Sequence, residues 1–170
     1  MRLPGLLIVV TVFMIAEAVR ASRNERTQRA RGGIEPAGDV YRWMQAAYPG
    51  VFLAMIVEGA FRPGPPAAIV IAGALLFALG KALKWWAIAT LGDRWTFRVI
   101  VVPGMPLATA GPYRTLRHPN YVGVLGELAG AALIAGAPVS GTLGTLLFLA
   151  LMVARVRVEN RALNAILRRT

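Results

Sequence analysis

Apolar residues fall along this chain in long blocks separated by polar intervals: Leu3–Val19, Trp43–Phe61, Ala67–Leu91, Tyr121–Gly136 and Val139–Val153. A bilayer core of about 30 Å takes about 20 helical residues, with roughly 17 as a lower limit. The second and third blocks meet that length and the first is marginal. The last two are short and joined by Ala137-Pro138-Val139-Ser140-Gly141. That join predicts a tight helical hairpin whose helices run on into the flanking residues. The pattern predicts an all-α fold: a polytopic bundle of five transmembrane helices forming a single domain over residues 1–170. Pro63-Gly64-Pro65-Pro66 reads as a short turn between the second and third helices.

Composition strengthens this reading. Hydrophobic residues make up 56% of the chain, charged residues 16%, and the mean hydropathy is +0.57. A soluble domain would be roughly 45–50% apolar and about a quarter charged. The absence of cysteine excludes disulfides and thiolate chemistry. A single histidine argues against a zinc or di-iron centre, whose imidazole ligands come in groups, so no metal is expected.

The net charge of +11 raises nucleic acid as a partner, but its distribution argues against that. Six arginines lie in Arg20–Arg42, four in Gly92–Asn120 and five in the tail from Arg155; the opposite side carries only Arg2 and Arg62. With five spans, the three basic segments share one side. The positive-inside rule makes that side the cytoplasm, with the N-terminus outside, and makes membrane lipids the partners of the loop arginines. A bacterial inner membrane is the expected setting. Ala16-Glu17-Ala18 resembles a signal-peptide cleavage site, but cleavage would invert the charge bias. Lys81 and Lys84 are expected to snorkel beside Trp85 and Trp86, and Glu17 and Glu58 to reach the interface. Glu127, inside a span, should face the bundle, either lining a substrate entrance or paired with Lys81 or Lys84. The small residues Gly126, Ala129, Gly130, Gly136, Gly141 and Gly144 predict close packing of the last two helices.

The candidate chemistry lies in the interval Gly92–Asn120. It contains Trp95, Phe97, Val99, Ile100, Val101, Val102 and Leu107, too apolar for disorder, and should fold onto the helices as a lid or wall. Its end, Gly111-Pro112-Tyr113-Arg114-Thr115-Leu116-Arg117-His118-Pro119-Asn120-Tyr121-Val122-Gly123, holds the only histidine. Arg, His and Tyr gathered at a span edge point to a binding site. Arg155 and Glu159 stand four apart, so a helix would project them from one face; alone, that spacing reads as a surface ion pair.

The run GPYRTLRHPNYVG, followed by Glu127 and by Arg155-x-x-x-Glu159-Asn160-x-x-Leu163, resembles the isoprenylcysteine carboxyl methyltransferase family, integral membrane enzymes that use S-adenosylmethionine (SAM). Arg23-Asn24-Glu25-Arg26, Arg31-Gly32-Gly33-Ile34-Glu35, Leu91-Gly92-x-x-Trp95 and Val101-Val102-Pro103-Gly104 are similar to the small bacterial branch associated with type III polyketide synthases.

The resemblance implies that the interval and the C-terminal helix are the catalytic parts. It implies that Met105, Pro106, Leu107, Ala108, Tyr113, His118, Pro119, Asn120, Tyr121 and Glu159 hold SAM, and that Arg155 faces the substrate. The family often has His where Met105 stands and a second Glu where Asn160 stands, and the eukaryotic enzymes carry a longer aromatic tail. These departures leave cofactor binding in place and weigh against a prenylated protein as acceptor. The implied activity is O-methyl transfer to a lipophilic acceptor: a long-chain polyketide such as an alkylpyrone or alkylresorcinol, or a prenylcysteine-type carboxylate. Phospholipid amine methylation and a non-enzymatic membrane role are the rivals.

The residues agree with such a cofactor. SAM presents a sulfonium, an ammonium, a carboxylate and an adenine-ribose unit, which Tyr, His, Arg and Glu can satisfy while Leu107 and Pro119 cover the adenine. No G-x-G-x-x-G occurs, so a Rossmann site is excluded. An acceptor already anionic needs orientation and desolvation more than a base. A phenol needs a base, for which His118 is the one imidazole.

Overall fold

The computed structural model describes residues 2–167, with side chains to Ala162; Arg168 and Arg169, expected at lipid headgroups, lie outside the described residues. The described residues form five α-helices: α1 (Arg2–Ala30), α2 (Tyr41–Ala60), α3 (Ala67–Leu91), α4 (Pro119–Ala135) and α5 (Pro138–Leu167). Two 3₁₀ turns, Gly92–Arg94 and Gly111–Arg114, punctuate the long interval. The only β pairing among the described residues is the bridge between Ile34 and Val101.

Three helices, in α1, in α3 with its 3₁₀ extension to Arg94, and in α5, are long and apolar enough to cross a membrane. The expected ranking of the spans changes accordingly. The block taken as marginal is one helix of 29 residues, because after Pro4-Gly5 in its first turn no Gly or Pro intervenes until Gly32-Gly33. α2 is weakened as a span by its polar start and by Pro49, and α4 has only 17 residues. α5 runs through Arg155 and Glu159 without interruption, as the hairpin reading expected.

The tightest packing is between α3 and α4. A Cβ on Gly80 would sit 2.7 Å from the Gly123 carbonyl, and one on Gly73 would sit 2.8 Å from that of Gly130. Glycine lets the two backbones touch, which lipid tails alone would not drive. The small residues of α4 therefore serve α3 more than α5, contrary to the sequence expectation. Of the α5 glycines, Gly141 meets Ala132 of α4 and Gly144 meets Val51 of α2. The N-terminus of α5 is closed by Glu58, which accepts from Val139 N at 3.2 Å, Ser140 N at 2.7 Å and Ser140 Oγ at 2.6 Å. That satisfies amides a helix start leaves unpaired.

Two expectations about charge are overturned. Lys81 and Lys84 do not snorkel, and Glu17 does not reach an interface; all three are buried. Lys81 Nζ lies 3.1 Å from Glu17 and 2.9 Å from Glu127, and Lys84 Nζ lies 2.5 Å from Glu17. The Tyr48 hydroxyl donates to Glu127. An unpaired charge in a bundle core costs several kcal/mol, roughly 3–5 when one partner is lost, so these groups exist there only as a set. The set ties α1, α2, α3 and α4 at one level. Glu127 thus takes the pairing role rather than an entrance. Glu17 is part of the folded bundle, held by both lysines.

Candidate active site

Two polar segments, 31–40 and 92–118, are laid together across one end of the bundle. Ile34 and Val101 exchange backbone hydrogen bonds of 2.9 and 3.0 Å. Arg98 reaches Glu35 at 2.7 Å and covers the Tyr41 ring at 4.7 Å. Burial pushes the Glu35 carboxyl upward, but the hydrogen bonds and charges of Arg98 and Arg29 outweigh it and hold the group below its ordinary value. From beneath, α1 fixes the second segment. Asn24 Nδ2 donates to the Gly92 and Trp95 carbonyls at 3.0 and 2.7 Å, and Gln28 Nε2 to the Asp93 carbonyl at 2.9 Å. The interval is folded onto the helices, as its apolar content predicted.

Pro119 starts α4 at the position where a missing amide hydrogen costs nothing, and His118 precedes it. His118 and Tyr121 therefore stand one turn apart, with their rings stacked at 5.5 Å and 19°. α5 brings its own pair to the same place. Arg155 Nε donates to the Tyr121 hydroxyl at 2.9 Å, and that hydroxyl donates to Glu159 Oε2 at 3.5 Å. Glu159 Oε2 also lies 3.9 Å from His118 Nδ1. His118, Tyr121, Arg155 and Glu159 thus converge, and the surface ion-pair reading of Arg155 and Glu159 does not hold.

The remaining expected residues are placed around this core. Asn120 Oδ1 accepts from Trp95 Nε1 at 3.4 Å, and Pro119 is buried. Tyr113 lies in the 3₁₀ turn Gly111–Arg114; burial first, then the Glu159 charge, push its hydroxyl up to about 12 against the opposing charge of Arg94. Met105 and Ala108 are half-buried, whereas Pro106 and Leu107 are exposed. This run is tied to Arg94, which donates to the Pro106 carbonyl at 2.8 Å, rather than to the His118 cluster.

Asp39 was not singled out from the sequence. Its Oδ1 accepts from Arg155 at 3.1 Å and from Tyr41 N at 3.1 Å, and its Oδ2 accepts from Val99 N at 2.9 Å. Only the rarity of aspartate, at positions 39 and 93, could have flagged it. Asn24 and Gln28 had a better signal, because they continue the buried face of α1 through Glu17 and Ala21 at helical spacing. Two apolar grooves lie apart from the polar cluster. One, of about 440 Å³, runs between α1 and α2 past Met14 and Phe52. The other, of about 340 Å³, lies between α2 and α5, lined by Trp43, Ala46, Ala47, Leu147 and Leu151.

An all-helical membrane bundle whose polar end gathers His, Tyr, Arg and Glu defines a class of integral membrane protein with an interfacial polar site. The isoprenylcysteine carboxyl methyltransferase (ICMT) family matches residues 72–165, more than half of the chain and all of the convergent cluster. The chain belongs to that family, one of membrane methyltransferases that in general use SAM. It is similar to the uncharacterised protein YpbQ of Bacillus subtilis (strain 168), 29% identical over 159 residues covering 94% of this chain and 95% of the other. It is also similar to an uncharacterised protein of Haemophilus influenzae, 24% identical over 148 residues covering 84% and 83%. No solved structure matches the chain. Among the described residues no group of His, Asp and Glu is arranged to hold a metal ion.

Proposed function

We propose that this protein transfers a methyl group from SAM to an oxygen of a lipophilic acceptor that enters from the bilayer. The convergence of His118, Tyr121, Arg155 and Glu159 from α4 and α5 carries the proposal. The donor set fits the cofactor. Glu159, about a third exposed, is free to accept from a ribose hydroxyl or an ammonium, and the His118 and Tyr121 rings offer a stacked face. Tyr113 and Asn120 flank it, and Met105, Pro106, Leu107 and Ala108 would close over the adenine from the 92–118 wall. When bound, SAM supplies an electrophilic methyl on a sulfonium that leaves as a neutral thioether.

The chain's own residues do the rest. Arg155 orients the acceptor oxygen, and His118 takes the proton of a hydroxyl acceptor, its imidazolium facing Glu159. Leu151, which lines the α2–α5 groove, lies one turn along α5 from Arg155, so an alkyl tail in that groove would direct its head toward the polar cluster. A long-chain polyketide of the alkylpyrone or alkylresorcinol kind suits that groove; a prenylcysteine-type carboxylate is the second reading. The basic segments favour a polar end in the cytoplasm and the N-terminus outside a bacterial inner membrane.

Calorimetry of the purified chain with SAM tests the proposal. Wild type is expected to bind, with His118→Ala and Glu159→Ala each weakened by about tenfold or more, the scale of a lost charged hydrogen bond. Wild-type affinity in both variants would overturn the site. Methylated phosphatidylethanolamine in cells expressing the protein would instead mark an amine methyltransferase.

A further inference from the structure

We infer that Asp39 is a positioning residue that cancels the charge of Arg155 and so selects an acceptor arriving as an uncharged hydroxyl rather than as a carboxylate; this rests on the methyl-transfer reading above. The Arg155 and Asp39 side chains are 8% and 5% exposed, and their 3.1 Å contact is closed from water. In such surroundings a charge pair interacts far more strongly than at the surface. Asp39 is itself held by the Tyr41 and Val99 amides, so its carboxylate cannot swing aside when an acceptor arrives. Arg155 Nε is already given to the Tyr121 hydroxyl. What remains of the guanidinium is N–H donors on a neutral pair, suited to the lone pairs of a hydroxyl or carbonyl oxygen.

The charge balance among the groups in direct contact agrees. The cluster holds two carboxylates, Asp39 and Glu159, against one guanidinium, Arg155. SAM carries a sulfonium, an ammonium and a carboxylate, one net positive charge, which offsets Glu159. An uncharged acceptor leaves the assembly neutral. A carboxylate acceptor would add an unmatched anion beside the apolar α2–α5 groove, where desolvation is costly. For a hydroxyl acceptor, its oxygen gains the methyl carbon and the carbon–sulfur electron pair stays on sulfur. The hydroxyl proton goes to His118 and from its partly exposed ring to water.

The test uses the full chain in detergent micelles, with SAM for turnover and its demethylated product for binding. The probes are a long-chain alkylresorcinol and a prenylcysteine carboxylate. Wild type is expected to methylate the resorcinol with a kcat/KM at least tenfold above that for the carboxylate, which should not compete. In Asp39→Asn the bared guanidinium should tighten binding of the carboxylate probe by about tenfold, while kcat for the resorcinol falls. Unchanged SAM affinity certifies that the variant is folded; for a misfolded variant the wild-type ratio decides alone. Equal or better use of the carboxylate by wild type, or an Asp39→Asn variant with unchanged probe selectivity, overturns the inference and leaves methyl transfer standing. A wild type that binds no SAM removes the methyl-transfer reading itself.

Discussion

Lys81 Nζ stands 2.9 Å from Glu127, a carboxylate with no solvent exposure, and the same ammonium lies 4.6 Å over the Phe13 ring. Removing one of the two leaves the buried set of Glu17, Lys81, Lys84 and Glu127 with one unmatched charge. Glu127→Leu or Lys81→Met alone should therefore cost roughly 3–5 kcal/mol, and the double variant should recover most of it, because hydrophobic replacement of a buried pair is often neutral. Thermal unfolding of the purified protein in detergent measures all three; additive losses would show that the pair is not coupled.

The α3–α4 contact makes a second prediction. Gly80→Ala places a methyl 2.7 Å from the Gly123 carbonyl and 2.8 Å from the Glu127 amide, both backbone atoms that cannot give way. Overpacking of that kind costs typically 1–3 kcal/mol. Gly50, in α2 with nothing within 4 Å of its would-be Cβ, is the control, and Gly50→Ala should stabilise by about 0.5–1 kcal/mol.

Tyr113 is the group to follow at high pH. Its hydroxyl is raised to about 12, so the folded protein holds a proton that an unfolded tyrosine releases near 10. This contribution is fully present below pH 10 and is lost as pH climbs toward 12. The difference in tyrosinate absorbance between wild type and Tyr113→Phe should place this one ionisation above the ordinary range in the folded protein and return it to that range on unfolding. Tyr113 then serves as a donor rather than a base, and Tyr113→Phe should leave the shape of the pH–rate profile below pH 10 unchanged.

Glu35 makes the opposite case. Its lowered carboxyl stabilises the fold above the ordinary carboxylate range, and that contribution disappears as pH falls through the lowered value. Glu35→Gln should reduce stability at neutral pH and flatten the acid side of the stability curve. Hydrogen exchange at Ile34 and Val101, whose amides close the bridge between the two polar segments, should report the loosening locally.

The five helices were visible as apolar blocks because a lipid solvent demands uninterrupted runs, and runs survive without knowledge of the partners. His118, Tyr121, Arg155 and Glu159 were visible because a motif and an i,i+4 spacing are local. Asp39 was hidden because its meaning is a contact to Arg155 on a helix far along the chain. The small residues of α4 were assigned to the wrong neighbour for the same reason: composition shows that a face is smooth without showing which helix lies on it.

Apolar periodicity, the count of basic side chains per interval and the RHPNY run settled that this is a helical membrane protein with a polar site at one end. These are one-dimensional quantities, fixed by hydration and helix geometry. The folded bundle alone decided that Lys81 and Lys84 turn inward to Glu17 and Glu127, and that Asp39 answers Arg155. Whether a charge meets water or a counter-charge depends on which helices pack together, and packing is a property of the assembled chain.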